Sequence, residues 1–513
     1  MNYILGIDIG TSGTKAVAFS HDGEILGNAY RSYEPLETVP GHHELDPVFL
    51  FEAFIQTVSE ILISLEGKAA LTAICFSSAM HSLLLVDKEN QPITNLVTWA
   101  DLRSRNQAAR LRASPEGADI YRLSGTPIHP MTPLCKIMWF RETEPALFKK
   151  ATRFISIKEY IVHRLTGKYL VDYSIASGTG LFDIYHLRWN PVALSLAGIT
   201  IDQLSPPVTT THIEQVDYRL NKDLLLQTQL VLGATDGCLA NLGSNAVKHG
   251  DVAVTIGTSG AVRMVNAAPK YDAKGRIFNY ILTPELFVSG GPINNGGVLL
   301  KWYTENFLQY NLDISQNEAG VSEAKVQSFQ NKGDASGGFE AFIETASTVA
   351  PGCEGLVFLP YIQGERAPVW DAEAKGVFFG IKSVHTQAHF IRAIIEGICF
   401  SLRDVSLSIE ETIGTINNIY ASGGFVKSPA WVQILCDILG KKVHITDTAD
   451  ASSIGAAMLG LYATNVIQKV EDASRFLTIQ KTYSPATNSS AAYDRNFGIY
   501  QNLYIKLKEE FRM

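Results

Sequence analysis

The stretches LGIDIGTSGTKAV, residues 5–17, and VAVTIGTSGAVRM, residues 252–264, share the five-residue word IGTSG. Each copy stands between two apolar β-type segments, and each opens a run of further strands and helices. Glycine lets the backbone turn tightly, while the Thr and Ser hydroxyls and the exposed N–H groups of the turn can face an anion. Two such hairpins facing one another across a cleft would grip a polyphosphate from both sides. For either copy alone, an ordinary β-hairpin with a small polar turn is the plainer alternative.

Outward from the first copy the chain reads as an antiparallel meander of YILGIDIG, TKAVAFS and EILGNAYRSY, with a turn at residues 21–23. The segment PVFLFEAFIQTVSEILISL then carries apolar residues at helical spacing, and LTAICFSS returns to a strand, the alternation of an α/β domain. The pattern restarts near residue 250 with the second copy, followed by strands in IFNYILTPELFVSG and a polar stretch, Ser315 to Gly338, expected to be a surface insertion. Residues 388–413 fit a long helix, and NNIYASGGFVKSPAWVQILCDILGKKVHIT reads as strand, glycine turn, helix, strand. Two α/β lobes are expected, residues 1–247 and 248–513.

Bulk properties narrow the function. A chain of 513 residues is too long for one core. With 46% hydrophobic and 18% charged residues and a net charge of -8, it is well packed and lacks a polybasic footprint, which argues against nucleic acid or an anionic membrane as partner. None of the six cysteines forms a C-x-x-C pair. The opening MNYILGIDIG has no basic region of a secretory signal, and SIGAAMLGLYATNVI is short and rich in small residues, suiting a packed helix better than a bilayer span. A cytoplasmic protein acting on small molecules is the expectation. Neither G-x-x-x-x-G-K-[ST] nor a G-x-G-x-x-G after a strand occurs, so a nucleotide would be held by the paired hairpins.

Candidate chemistry gathers in a few words. In LVLGATDGCLANLG, Asp236 follows an apolar strand and precedes a helical run, so it reads either as an N-cap carboxylate or as a general base for a substrate hydroxyl. Asp8, on the strand entering the first hairpin, is the candidate for Mg²⁺. Gly423 and Gly424 allow a backbone to lie flat against a planar base, and Ser428 can cap the following helix. Between the lobes lie FSSAMHS, TWADLRS, GTPIHPM and IKEYI. Trp99 offers a wall for a sugar's carbon face, and His81, Asp101 and Arg103 offer donors and acceptors; His129 reads as a packed structural residue.

These words resemble the FGGY carbohydrate kinases, of the actin, hexokinase and chaperone-ATPase superfamily, over essentially the whole chain. GIDIGTSGTKAV and TIGTSG match the two phosphate loops, GATDG the catalytic aspartate, and SGGFVKSPAWVQILCDILG the adenosine loop. MTPLCKIMWFRET fits a family signature except at Thr143, and GVFFGIKSVHTQAHFIRAIIE fits another throughout. The resemblance implies two ribonuclease-H-like lobes around an interdomain cleft, with sugar deep inside and ATP with Mg²⁺ above it. It implies Asp236 as the base, and Gly10, Thr11, Ser12, Gly257 and Thr258 on the phosphates. Lys15 is either a further phosphate contact or a surface residue, and Gly297, Lys301, Gly424 and Ser428 lie near the nucleotide. It further implies Met80, His81, Trp99 and Asp101 on the sugar side, and a homodimer.

Within that family the sugar-side words are most similar to the gluconate kinases, which implies phosphorylation of D-gluconate at its terminal hydroxyl. Arg103, His81 and Lys158 are the cations available for the substrate carboxylate. A pentulose kinase of the same family and, more remotely, an actin- or chaperone-like ATPase are the alternatives.

Overall fold

Why each copy of the repeated word becomes a hairpin is visible in what flanks it. In the computed structural model, which describes residues 1–36, 39–308, 343–448, 450–486 and 489–513, the first copy joins β1 (Asn2–Ile9) to β2 (Gly13–Ser20). These run antiparallel and continue into β3 (Ile25–Ser32), the expected meander. Tyr3, Leu5, Ile7 and Ile9 face one core, while Ile4, with Val17 and Phe19 of β2, faces another, so both sides of this sheet are covered.

One cover is α1 (Pro47–Leu65), capped by Asp46, whose carboxylate accepts Val48 N–H at 2.8 Å, with Pro47 at its first position. Its Leu50, Phe51, Phe54, Val58, Ile61 and Leu65 recur at helical spacing and are buried. Among the described residues it is the one helix long and apolar enough to cross a membrane, and that apolar face packs into the same core as β1. The parallel strand β4 (Ala70–Ser78) follows, and β5 (Ile213–Arg219) and β6 (Leu225–Thr235) complete a six-stranded sheet in the order β5-β6-β4-β1-β2-β3.

The second lobe repeats this plan. After α2 (Asp236–Gly243), the second copy of IGTSG joins β7 (Asp251–Ile256) to β8 (Gly260–Asn266), and β9 (Phe278–Thr283) and β10 (Leu286–Ile293) extend the antiparallel side. A short helix, α3 (Val298–Tyr303), follows, and later the 26-residue α4 (Gln387–Thr412). Strand β11 (Asn418–Ser422), helix α5 (Pro429–Leu439) and strand β12 (Val443–Thr446) then add the parallel side, and after α6 (Ala451–Ala463) the edge strand β13 (Ile479–Tyr483) closes the sheet. The seven strands lie in the order β9-β10-β8-β7-β11-β12-β13, with β7 parallel to β11 as β1 is to β4. The insertion expected at 315–338 lies outside the described residues.

The lobes are tied by α6, which packs against α2 and buries Ile454, Met458 and Leu461 with Ile4 and Val17 of the first sheet. The expected tight packing of its small residues is present: a Cβ on Gly455 would meet the Leu239 carbonyl at 2.0 Å. The C-terminal half thus supplies a cover for the N-terminal sheet, and the cleft opens between the two hairpins.

Candidate active site

The two hairpins are built differently despite their shared word. In the first, Ile9 pairs with Thr14, and Gly10 N–H donates to Gly13 O at 3.1 Å. The carbonyls of Gly10 and Ser12 are held by the hydroxyls of Tyr33, at 2.6 Å, and Tyr30, at 3.2 Å. In the second, Ile256 pairs with Gly260, one residue tighter, and Gly257 N–H donates to Ser259 O at 2.8 Å. Here backbone supports backbone: Gly297 N–H donates to Gly257 O at 2.7 Å, and Gly296 and Val298 N–H donate to Thr258 O. Thr11 from the first hairpin and Gly257, Ser259 and Gly260 from the second line one cleft, with Asp236 and Gly237 between them.

The glycine turn expected to hold a base meets the second hairpin directly. Gly423 has φ +102°, and a Cβ there would lie 2.4 Å from Ile256 O, so only glycine allows this approach; Gly424 faces open space. Ser428 caps α5, its hydroxyl accepting Trp431 N–H. Lys15 stands across the strand pair from Asp8, half-buried and ion-paired with Asp450, while Lys301 points to solvent, 3.8 Å from Glu305.

Asp236 is the first residue of α2, and the cap of that helix is Thr235, whose hydroxyl accepts Cys238 N–H. The plainer N-cap reading of Asp236 is therefore corrected: its carboxylate faces the cleft, accepting, among the described residues, Gly237 N–H at 2.8 Å. Burial raises its pKa, opposed by the Arg263 guanidinium. Asp8 sits at the end of β1 with Ser77 Oγ donating to it at 2.6 Å; burial, then the charge of Asp236, push it up to about 7. The two carboxylates are thus near enough to repel, Asp236 on the cleft lining and Asp8 behind it at the end of β1. Lys158 is buried beneath, donating to Asp172 at 2.8 Å and to Ala234 O at 2.9 Å, where it fixes the strand end two residues before Asp236.

On the sugar side Met80, His81 and Trp99 line the cleft as expected, facing Phe278, Tyr280 and Arg366 of the second lobe. His81 is in the left-handed region at φ +64°, its Nδ1–H donating to Gly178 O at 2.7 Å, which leaves Nε2 to accept the Tyr280 hydroxyl at 3.2 Å. Burial, then Lys136, lower its pKa to about 3, so the ring is neutral. Arg366 lies over Trp99, 4.5 Å from the ring centre, with Nε on Asn294 Oδ1 at 2.7 Å and Nη2 on Ile293 O at 3.1 Å.

Other expectations on this side are corrected. Asp101 and Arg103 do not line the cleft: the carboxylate receives Arg103 Nε and Nη2, each at 2.8 Å, and His43 N–H, while Arg103 also binds Glu44 at 2.5 Å. Their attraction is spent on holding the loop below Trp99. Neither Arg103 nor Lys158 is open to a substrate carboxylate, and neutral His81 brings no charge to it. His129 is packed as expected, buried against Trp370, with Nδ1 accepting Met131 N–H.

Sequence reading missed Arg263, Arg366, Phe278 and Tyr280. The signal for Arg263 was available, since it is a lone arginine inside the apolar strand GAVRMVN, where an unpaired charge is costly. The other three come from segments distant in sequence, which only the sheet order brings to the cleft. Among the described residues Arg263 makes no ion pair, and its Nη1 approaches Thr255 Oγ1 at 3.4 Å.

Comparison with known proteins agrees with this geometry. A family model for the N-terminal domain of the FGGY family of carbohydrate kinases matches residues 3–243, and one for the C-terminal domain matches residues 252–464. The chain is 38% identical over 515 residues to a gluconokinase of Bacillus subtilis (strain 168), covering 99% of this chain and 97% of the relative. Among solved structures it is similar to a gluconate kinase from Lactobacillus acidophilus, with TM-score 0.87 and 31% identity over 99% of this chain and 98% of that one. It is also similar to a ligand-bound xylulose kinase from the same organism, with TM-score 0.89 and 30% identity over 100% and 99% of the two chains.

Proposed function

The chain belongs to the FGGY family of carbohydrate kinases, ATP-dependent sugar phosphotransferases, and on that footing we propose that it phosphorylates D-gluconate at the 6-hydroxyl to give 6-phospho-D-gluconate. The observation that carries the acid over a neutral ketose is the charge of the cleft: two guanidinium groups, Arg263 and Arg366, line it beside the sugar-facing Trp99 and His81. The 38% identity to a gluconokinase supports the same choice.

In this reading the hairpin turns hold the polyphosphate of ATP, and Gly424 and Ser428 border the adenosine. The 6-hydroxyl lies beside Asp236, whose carboxylate accepts its proton as the new O–P bond forms. A loose phosphoryl transition state asks little proton affinity of that base early on, so position matters more than basicity. Lys158 and the Thr235 cap hold Asp236 in place from behind. The neutral His81 ring, locked between Gly178 and Tyr280, shapes the sugar wall. Closure of the lobes would exclude water and limit ATP hydrolysis.

Asp8 fits a Mg²⁺ site. Burial, then the adjacent charge of Asp236, raises its pKa, and a bound cation would offset both. Among the described residues there is no cluster of three or more potential ligands, as suits an ion held by one or two carboxylates and mainly by nucleotide. Bound there, Mg²⁺ would neutralise charge on the phosphate oxygens.

The second reading, a pentulose kinase, is favoured by the likeness to a xylulose kinase structure. A coupled assay of ADP release with D-gluconate, related aldonates, D-xylulose, L-ribulose and glycerol separates the two. Preference for gluconate, with the product identified as the 6-phosphate, is the expected result; preference for a ketose overturns the substrate while keeping the kinase.

A further inference from the structure

The cations near the cleft differ in how much of their hydrogen-bonding capacity the protein already uses. Lys136 donates to the carbonyls of His81 and Thr98 at 2.6 and 2.7 Å, and Lys158 is paired with Asp172. Arg103 is enclosed by Asp101 and Glu44, and Arg112 donates to the carbonyls of Ile128 and Trp370. Arg366 lines the cleft, but its Nε and Nη2 are committed to Asn294 and Ile293, and Trp99 covers one of its faces. Arg263 alone among these has one long polar contact, to Thr255.

The space around Arg263 is made for it. Its Nε lies 3.1 Å from where a Cβ on residue 237 would sit, so glycine beside Asp236 leaves room for the guanidinium to lie along the floor of the cleft. Among the described residues Arg263 forms no ion pair, and Asp236 is the acidic group whose charge acts on it most. Partly exposed to the cleft, with a single long polar contact from its fork, the guanidinium has donors left for a ligand, and its planar geometry suits a carboxylate.

We propose that Arg263 is the specificity residue for an acidic sugar: its guanidinium binds the substrate carboxylate, with Arg366 as the fixed positive wall beyond it. The assignment rests on the sugar-acid reading above. A neutral ketose bound against Arg263 would leave its donors without a charged acceptor, so discrimination comes from the unmet protein group as well as from the missing contact.

The test compares D-gluconate with D-gluconamide, which keeps every hydroxyl and replaces the charged carboxylate by a neutral amide. With full-length protein and saturating Mg·ATP, the kcat/KM ratio of acid to amide is measured for the wild type, Arg263→Met and Arg263→Lys. The wild type is expected to favour the acid by about 100-fold, as charge-assisted hydrogen bonds suggest. Arg263→Met should bring the ratio to near one, mainly through KM for gluconate, and Arg263→Lys should restore part of it. Equal losses on both substrates, as expected if Arg263 serves the phosphate or only the fold, overturn the assignment, as does an unchanged ratio. Should Arg263→Met fail to fold, the ratio in Arg263→Lys decides alone: a ratio equal to that of the wild type overturns it. Failure of the underlying reading is separate, because a wild type that does not phosphorylate gluconate shows it before any substitution.

Discussion

The hairpins at Ile9–Gly13 and Ile256–Gly260 have the same five residues and different registers. Asp8, one residue before the first word, pairs with Lys15; Thr255, one residue before the second, pairs with Ala261. Counted from the word, the second return strand is one residue earlier, and a one-residue slip exchanges the faces of a strand. Ala16, seven residues after Ile9, therefore lies in the core beneath α1, whereas Arg263, seven residues after Ile256, lies on the cleft side. From identical turns the second hairpin brings a cation, Arg263, onto the cleft lining, while the first ends in an acid, Asp8, that interacts with Asp236. A repeated word specifies a turn; the register it adopts decides what the strands deliver.

Asp236 stands where the two hairpins converge, so the largest expected effect is there. Asp236→Asn keeps the Gly237 contact and removes the proton acceptor. Turnover should fall by about 10³-fold while nucleotide binding stays near the wild-type level. Single-turnover kinetics with titration of a nucleotide analogue would check both, and a variant retaining most of its turnover would remove Asp236 from the role.

The next largest effect separates the hairpins by charge. Asp8→Asn should lower kcat/KM by about 100-fold and raise the Mg²⁺ concentration required, whereas Thr255→Val, at the matching position, should change either by less than about threefold. Stability should move the opposite way. In the protein without nucleotide or metal, the folded pKa of Asp8, about 7, exceeds the ordinary 3.8 of a free aspartate, so the folded state holds more protons between those values. Unfolding free energy from this group therefore declines as pH rises from about 4 to 7. Asp8→Asn should be more heat-stable than the wild type at pH 8, with the difference vanishing near pH 4. Melting curves across that range check the sign, and a variant less stable at pH 8 would contradict it.

Much of this was legible before the structure because it depends on short words. The meander, the two lobes, α6 as a packed helix, Asp236 after its strand and Ser428 as a cap follow from local pattern. The register of the second hairpin was not legible, since it is set by the backbone contacts from Gly296, Gly297 and Val298, some forty residues on. For the same reason Asp101 and Arg103 read as substrate groups: their charge was visible, but Glu44, which completes their network, lies 59 residues from Arg103. Polar residues advertise themselves in sequence whether they serve a ligand or one another.

The glycine loop sharpens the contrast further, because Gly423 packs directly on the second hairpin. Gly423→Ala forces a Cβ against Ile256 O at a positive φ and should destabilise the protein by about 2 to 4 kcal/mol, with a raised KM for ATP. Gly424→Ala, one residue on, meets open space and should cost under about 1 kcal/mol. Denaturant unfolding of both variants measures the difference; similar costs would mean that the loop does not support the hairpin.

The smallest effect exposes how each turn is held. Tyr33→Phe removes the hydroxyl that donates to Gly10 O at 2.6 Å and leaves that carbonyl without its tyrosine donor, a loss of about 1 kcal/mol, while the ring keeps its packing against Phe49. The first hairpin should loosen, so KM for ATP should rise a few-fold with kcat unchanged. At the second turn, among the described residues, Gly257 O and Thr258 O are held by backbone N–H groups, so the corresponding side-chain substitution has no counterpart there. Stability and ATP kinetics of Tyr33→Phe, measured together, test this: if both match the wild type, the tyrosine does not secure the turn, and the two hairpins differ in register alone.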